Sequence, residues 1–219
     1  MTSSLPPDVA AARIRVGDAY RSLGHAIVGH QASAQELDDL ADLLCERTGA
    51  IRSGEQRVRS IERPSGDWGP APLDGEEMFS FDERPISGRA APYGLGVRIV
   101  RDGDEVVGHV TLDSAHEGAP GRSHGGIVSA LFDDVYGFVL TILAQPAFTG
   151  TLTIRYEQGV PIHRPLECRV RLDRREGRKL LMSGELSGVG ADGAPMVFTR
   201  STAVFIAIDE AAFGASARP

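Results

Sequence analysis

Residues 121–140, "GRSHGGIVSALFDDVYGFVL", set two adjacent aspartates, Asp133 and Asp134, inside the most apolar helix-like stretch of the chain. A carboxylate carried on a core helix is costly unless it is paired, hydrogen-bonded or kept neutral. Successive helical residues point about 100° apart, so the two acids cannot share one environment. Gly126, Ser129, Ala130, Asp133 and Gly137 fall on one side, whereas Ile127, Leu131, Val135, Phe138 and Ile142 populate another. A stripe of small residues lets another backbone approach closely. Asp133 is therefore expected in a narrow crevice at or near a subunit contact, and Asp134 at a polar edge, paired with an arginine.

Working outward, the helix is predicted to start after "SHGG" and to stop before Gln145-Pro146, because proline disfavours helix in the residue preceding it. Such a helix, of about 18 residues, is about 27 Å long. On both sides the apolar period changes to two. "MFSFDE", "LGVRIVRD" and "EVVGHVTLD" precede it, and "TGTLTIRYEQ", "LECRVRLDRR", "KLLMSGELSG" and "PMVFTRSTAVFIAI" follow. Asp102-Gly103, Glu176-Gly177 and Asp192-Gly193 supply hairpin turns. One long helix wrapped by an antiparallel sheet of about six strands is an α+β architecture.

The first third of the chain has a different character. Ala10 to Ile27 are mostly helix formers, and "SAQELDDLADLLCER" opens with Ser33 and Glu36 at capping-box spacing. In that second helix Leu37, Leu40, Ala41 and Leu44 form an apolar stripe, with Asp38, Asp39 and Asp42 expected to face water. A Gly/Pro-rich linker from Thr48 to Gly75 follows, in which Trp68 is expected to pin the loop to a surface. The expected division is an N-terminal helical extension and linker at 1–75, the principal domain at 76–210 and a tail at 211–219.

The 219 residues are 42% hydrophobic, with a formal net charge of -7 and no basic block, which argues against nucleic-acid binding and against a polybasic membrane contact. The apolar run Ile127 to Leu143 is short for a bilayer span and contains both aspartates. Cys45 and Cys168 have no metal-type spacing, and neither do His109, His116 and His124, so no metal or other cofactor is expected. The expected location is the cytoplasm, with free thiols.

His124-Gly125-Gly126 immediately precedes the helix. Two glycines leave backbone N–H groups unobstructed at its positive end, where an anion or a developing oxyanion is favoured; they also serve simply to turn a tight loop. With Asp133 nine residues after the histidine, "SHGGIVSALFDDVYG" resembles the helix signature His-Gly-Gly-x-x-Ala-x-x-x-Asp of the hotdog-fold acyl-CoA thioesterases, especially the phenylacetate-pathway (PaaI-like) type. Ser129-Ala130 stand near the small position and Gly137 follows. Thr149 and the loop Gly159 to Pro161 extend the likeness, which covers residues 78–208 and departs from the family at Gly118, where many relatives carry a polar residue.

The resemblance implies that the Gly125 and Gly126 amides stabilise the thioester oxygen while Asp133 activates water as general base or attacks directly. It also implies that Thr149 holds the water or the carboxylate and that His124 orients the loop. Arg122, Arg155, His163 and Arg164 are the candidate contacts for the coenzyme A phosphates, although the ordinary reading of each is a solvated surface cation. Phe132, Tyr136 and Phe138 are expected along an acyl tunnel. A site built from two helices needs a pair of chains, so a homodimer or a dimer of dimers is expected. The alternative is a non-catalytic acyl-CoA or lipid-binding protein of the same fold, which Gly118 favours. A serine hydrolase is the rival enzyme, since its oxyanion loop can contain His-Gly-Gly; it is discounted on the reading that the chain holds no Gly-x-Ser-x-Gly nucleophile turn, the segment Ser183 to Gly190 included.

Overall fold

The structure is a computed structural model that describes residues 5–57 and 71–208. Trp68 and the 211–219 tail lie outside the described residues. Six strands form one antiparallel sheet: β1 Arg98–Asp102, β2 Glu105–Thr111, β3 Ala147–Tyr156, β4 Pro165–Glu176, β5 Lys179–Val189 and β6 Pro195–Ala207. Their order across the sheet is β1-β2-β4-β5-β6-β3, so β3, the strand that follows the long helix, forms an edge. The expected turns are present, with Gly103, Gly177 and Gly193 each at positive φ.

The long helix, Gly125–Ile142, crosses the inner face of this sheet between β2 and β3 in chain order. It begins earlier than expected, because both glycines are helical residues and His124 is the N-cap. Alternate residues of the strands, among them Val106, Leu166, Cys168, Leu180, Met182 and Phe205, meet Val128, Leu131, Phe132, Val135 and Val139 of the helix in a single core. Although the helix is long and apolar enough to cross a membrane, that core uses its apolar side.

Two shorter expectations are corrected. "MFSFDE" is not a strand: Glu77 makes an isolated bridge to Val100, and the chain then leaves the sheet through turns closed by Arg84 N–H to Phe81 C=O and Ala90 N–H to Asp82 C=O. Those turns lay Arg84 across the long helix. Phe132 and Tyr136 do not line a tunnel, because both are fully buried under the helix, with the Tyr136 hydroxyl donating to Ser201 Oγ at 3.2 Å.

In the N-terminal part, α1 spans Pro7–Gly29 and α2 spans Ala34–Arg52; the long helix is therefore α3. The Ser33–Glu36 capping box is formed. No residue of α2 is buried, and Leu37, Leu43 and Leu44 are exposed together with its acids. The stripe expected to be covered is open within one chain. Helix α1, by contrast, docks on the 3₁₀ turn Ser114–His116 and on the loop near Ala90.

Candidate active site

The two aspartates part company as their helical angles require. Asp134 is 7% exposed and lies 2.6 Å from Arg84 Nε, while a second guanidinium nitrogen of Arg84 donates to the Asp134 carbonyl at 2.8 Å. The guanidinium also rests over the Phe138 ring, 4.6 Å from its centroid. A Cβ at Gly137 would stand 2.3 Å from that guanidinium, so the glycine on the helix is what admits the arginine. Asp134 Oδ2 has no hydrogen-bond partner among the described residues, which makes the one charged contact more important.

Asp133, one helical step of about 100° away, is exposed on the side of Ser129 and Ala130. Its Oδ1 accepts from Thr149 Oγ1 at 2.8 Å. Thr149 sits where the β3–β6 register slips between Thr149 and Thr151, and a bulge of this kind re-aims a side chain that regular pairing would direct elsewhere. One carboxylate is thus neutralised inside the fold and the other is oriented at its surface.

At the helix mouth, His124 Nδ1 accepts from the Gly126 N–H at 3.0 Å. That bond caps the helix and occupies one of the two amides expected to meet the substrate oxygen. Among the described residues nothing accepts from the Gly125 N–H, which is left at the positive end of α3. Tyr156 Oη, a group that no local motif announced, donates to the Gly125 carbonyl at 2.7 Å and lies 3.0 Å from Ser129 Oγ, bracing the first turn from β3. Gly118 has a steric reason: a Cβ there would lie 2.9 Å from His124 Cα, so a side chain would displace the cap. The neighbouring Glu117 accepts from the Gly121 N–H at 2.5 Å.

The expectation that the chain holds no Gly-x-Ser-x-Gly spacing is corrected: Gly121, Ser123 and Gly125 match it. The structure of this loop argues against a nucleophilic role. A nucleophile turn joins a strand to a helix and pairs the serine with a base; Ser123 follows turns, and its hydroxyl contacts the His124 carbonyl at 3.4 Å.

Three of the four candidate cationic residues converge. Arg122, His163 and Arg164 line one cleft of about 690 Å³, together with Glu117, Val189 at the end of β5 and Phe198 of β6. Its walls are laced by Ser123 N–H to Val160 C=O and by an Arg122–Pro161 bridge. His163 adopts positive φ, at 60°, and its Nδ1 lies 3.1 Å from Asp113 Oδ1. The Ser114 N–H that donates to Asp113 holds that carboxyl below its ordinary pKa. Arg155 stands apart on β3, exposed, 3.9 Å from Glu157.

One long helix wrapped by a six-stranded antiparallel sheet, with β3 at the edge, is the hotdog fold. The likeness to known proteins agrees. A solved thioesterase superfamily protein superposes with a TM-score of 0.71 at 24% identity, covering 89% of this chain and 90% of that one. Human acyl-coenzyme A thioesterase THEM5 is 34% identical over 67 residues, 31% of this chain and 27% of that protein. Mouse acyl-coenzyme A thioesterase THEM4 is 30% identical over 93 residues, 42% of this chain and 39% of that protein. The matched segments thus span well under half the length of these curated relatives. No family model matches the chain.

Proposed function

We propose that the protein hydrolyses acyl-CoA thioesters, with Asp133 as the reacting carboxylate. The observation that carries this reading is the exposed Asp133 held by Thr149 on the open side of a helix whose first amide is unspent. As general base, Asp133 takes a proton from water while the water oxygen attacks the thioester carbonyl carbon. Charge gathers on the carbonyl oxygen, which the Gly125 N–H and the α3 dipole stabilise. The carbon–sulfur bond then breaks, the sulfur leaves with the electron pair and regains a proton from Asp133, and a carboxylic acid and free coenzyme A result. Direct attack by Asp133 to give a mixed anhydride uses the same group.

The eight residues from Gly125 to Asp133 set the two about 12 Å apart along the helix axis. They cannot both meet one carbonyl group, which needs donor and base each within about 3 Å. The reading therefore requires two copies, each site taking Gly125 from one chain and Asp133 from the other. The open edge of β3, which carries Thr149 and Tyr156, supports such pairing.

Thiol release from acyl-CoAs of varied chain length and aromatic character tests the activity. No turnover by the wild type across the panel, together with measurable acyl-CoA binding, would leave a binding protein instead. Mixing two impaired variants, Asp133→Asn and Gly125→Pro, tests the shared site. Regained turnover on mixing is expected, because one of the two sites in a mixed dimer is intact; no gain in turnover by a demonstrably mixed dimer would refute the arrangement.

A further inference from the structure

The cationic cleft is not built by the hotdog sheet alone. Val28 and Gly29, the last two residues of α1, form part of its wall beside Ser114, Arg122 and His163. We propose that the C-terminal end of α1 is a wall of the coenzyme-binding cleft, so that the N-terminal helix sets the preference for full-length acyl-CoA over short thioesters that lack the nucleotide. This rests on the thioesterase reading above and adds to it a recognition role for residues outside the sheet and α3.

The helix is held in place at three levels. Near its middle Gly17 is buried, and a Cβ there would stand 2.8 Å from the Ala90 backbone, while Arg21 donates to the Ala91 carbonyl at 2.6 Å and the Arg89 carbonyl at 3.1 Å. One turn on, His25 Nδ1 accepts from the Ala115 N–H at 3.2 Å, and its ring meets the edge of His116 with centroids 4.7 Å apart. At the end, a Cβ on Gly29 would fall 2.6 Å from Ser114 Oγ. Four residues spaced over three turns, Gly17, Arg21, His25 and Gly29, fix which part of α1 reaches the cleft. Val28 is 60% exposed, so its side chain is not spent on the core.

The cleft suits the phosphate-bearing end of the substrate. Arg122 and Arg164 bring two guanidinium groups, against which stand Glu117, whose carboxylate is engaged by the Gly121 N–H, and His163 in its contact with Asp113. Guanidinium groups grip phosphate oxygens in pairs. Neither Asp133 nor Gly125 lines the cleft, so a molecule anchored there extends away from it to reach the reacting groups. A short thioester has nothing to anchor.

The test is a charge pair at one exposed position, Val28→Glu and Val28→Lys, assayed on an acyl-CoA and on the matching acyl-N-acetylcysteamine, which lacks the nucleotide. A carboxylate beside bound phosphates is expected to raise KM for the acyl-CoA by about tenfold, with the ammonium variant at or below the wild-type value. kcat should be unchanged in both, and so should KM for the short thioester. Gly17→Val, which lifts α1 from Ala90, should weaken acyl-CoA in the same selective way. KM values for acyl-CoA within twofold of wild type in all three variants would overturn the role of α1 while leaving the thioesterase reading standing. A wild-type protein that neither cleaves acyl-CoA nor binds coenzyme A in calorimetry would overturn both.

Discussion

The two sides of α3 carry neighbouring carboxylates with opposite fates. On the closed side, Asp134 is 7% exposed and spends its charge on Arg84, which the loop after residue 78 lays across the helix. On the open side, among the described residues Asp133 has the Thr149 hydroxyl, which orients the carboxylate, and no cationic partner. A neutralised acid stabilises a fold, whereas an oriented acid with its charge still available can take a proton or attack a carbon. The difference follows from one helical step of about 100°.

That contrast is sharpest under substitution of the acids' immediate surroundings. Asp133→Asn should lower kcat for acyl-CoA hydrolysis by about a thousandfold or more, the scale of a lost general base, while the unfolding midpoint in urea stays near that of wild type. A variant with near-wild-type turnover would remove Asp133 from the chemistry. Gly125→Pro deletes the free amide at the first helical position, where the backbone accepts proline because His124, at φ -64 and ψ 135, is already extended; a Cβ there would stand 3.1 Å from Tyr156 Oη, so the tyrosine ring must shift by a few tenths of an ångström. It should cost about 3 kcal/mol in transition-state stabilisation, roughly a hundredfold in rate.

The closed side should respond in stability and hardly in rate. Arg84→Met leaves Asp134 as an unpaired buried charge and is expected to destabilise the fold by about 3 kcal/mol in denaturant titration. Adding Asp134→Asn should recover part of that loss. If Arg84→Met unfolded no more easily than wild type, the ion pair would be decorative. Thr149→Val keeps the shape of the strand and removes one hydrogen bond to a charged group, so kcat/KM should fall by about tenfold with little change in stability.

The smallest effect concerns the turn that α1 grips. Burial lowers the pKa of His116 from 6.5 to about 4, and its Nδ1 accepts from the Asp113 N–H at 3.1 Å. The folded protein thus holds this ring neutral while the unfolded chain protonates it below its ordinary pKa. The associated stability is fully present above about pH 6.5 and is lost progressively as pH falls towards 4. His116→Asn can accept the same N–H without titrating, so its thermal midpoint should fall less steeply between about pH 7 and about pH 5. Equal slopes for the two proteins would assign the acid sensitivity to other groups.

Most strands were legible because alternation and Asp-Gly or Glu-Gly turns are local signals, as in "ECRVRLDRR" and at Asp192-Gly193. "MFSFDE" misled for the same reason: its alternation is real, but the segment must turn to carry Arg84 over α3. The separation of Asp133 from Asp134 was readable from helical angle alone, and so was an arginine partner for Asp134, though not which one, since fifty residues separate Arg84 from it. Tyr156 was missed because its contact with Gly125 joins a strand to a helix mouth 31 residues away.

By itself the sequence determined the elements whose signals span a few residues: the helix and its polarity, the hairpins, the capping box at Ser33, and the placing of a histidine, two glycines and an acid along one helix. Only the tertiary structure decided that Gly126 is spent on His124, that Arg122, His163 and Arg164 share a cleft while Arg155 does not, and that α1 reaches that cleft. Periodicity and turn chemistry are written in neighbouring residues, whereas the meeting of groups distant in the chain depends on how the whole sheet closes around the helix.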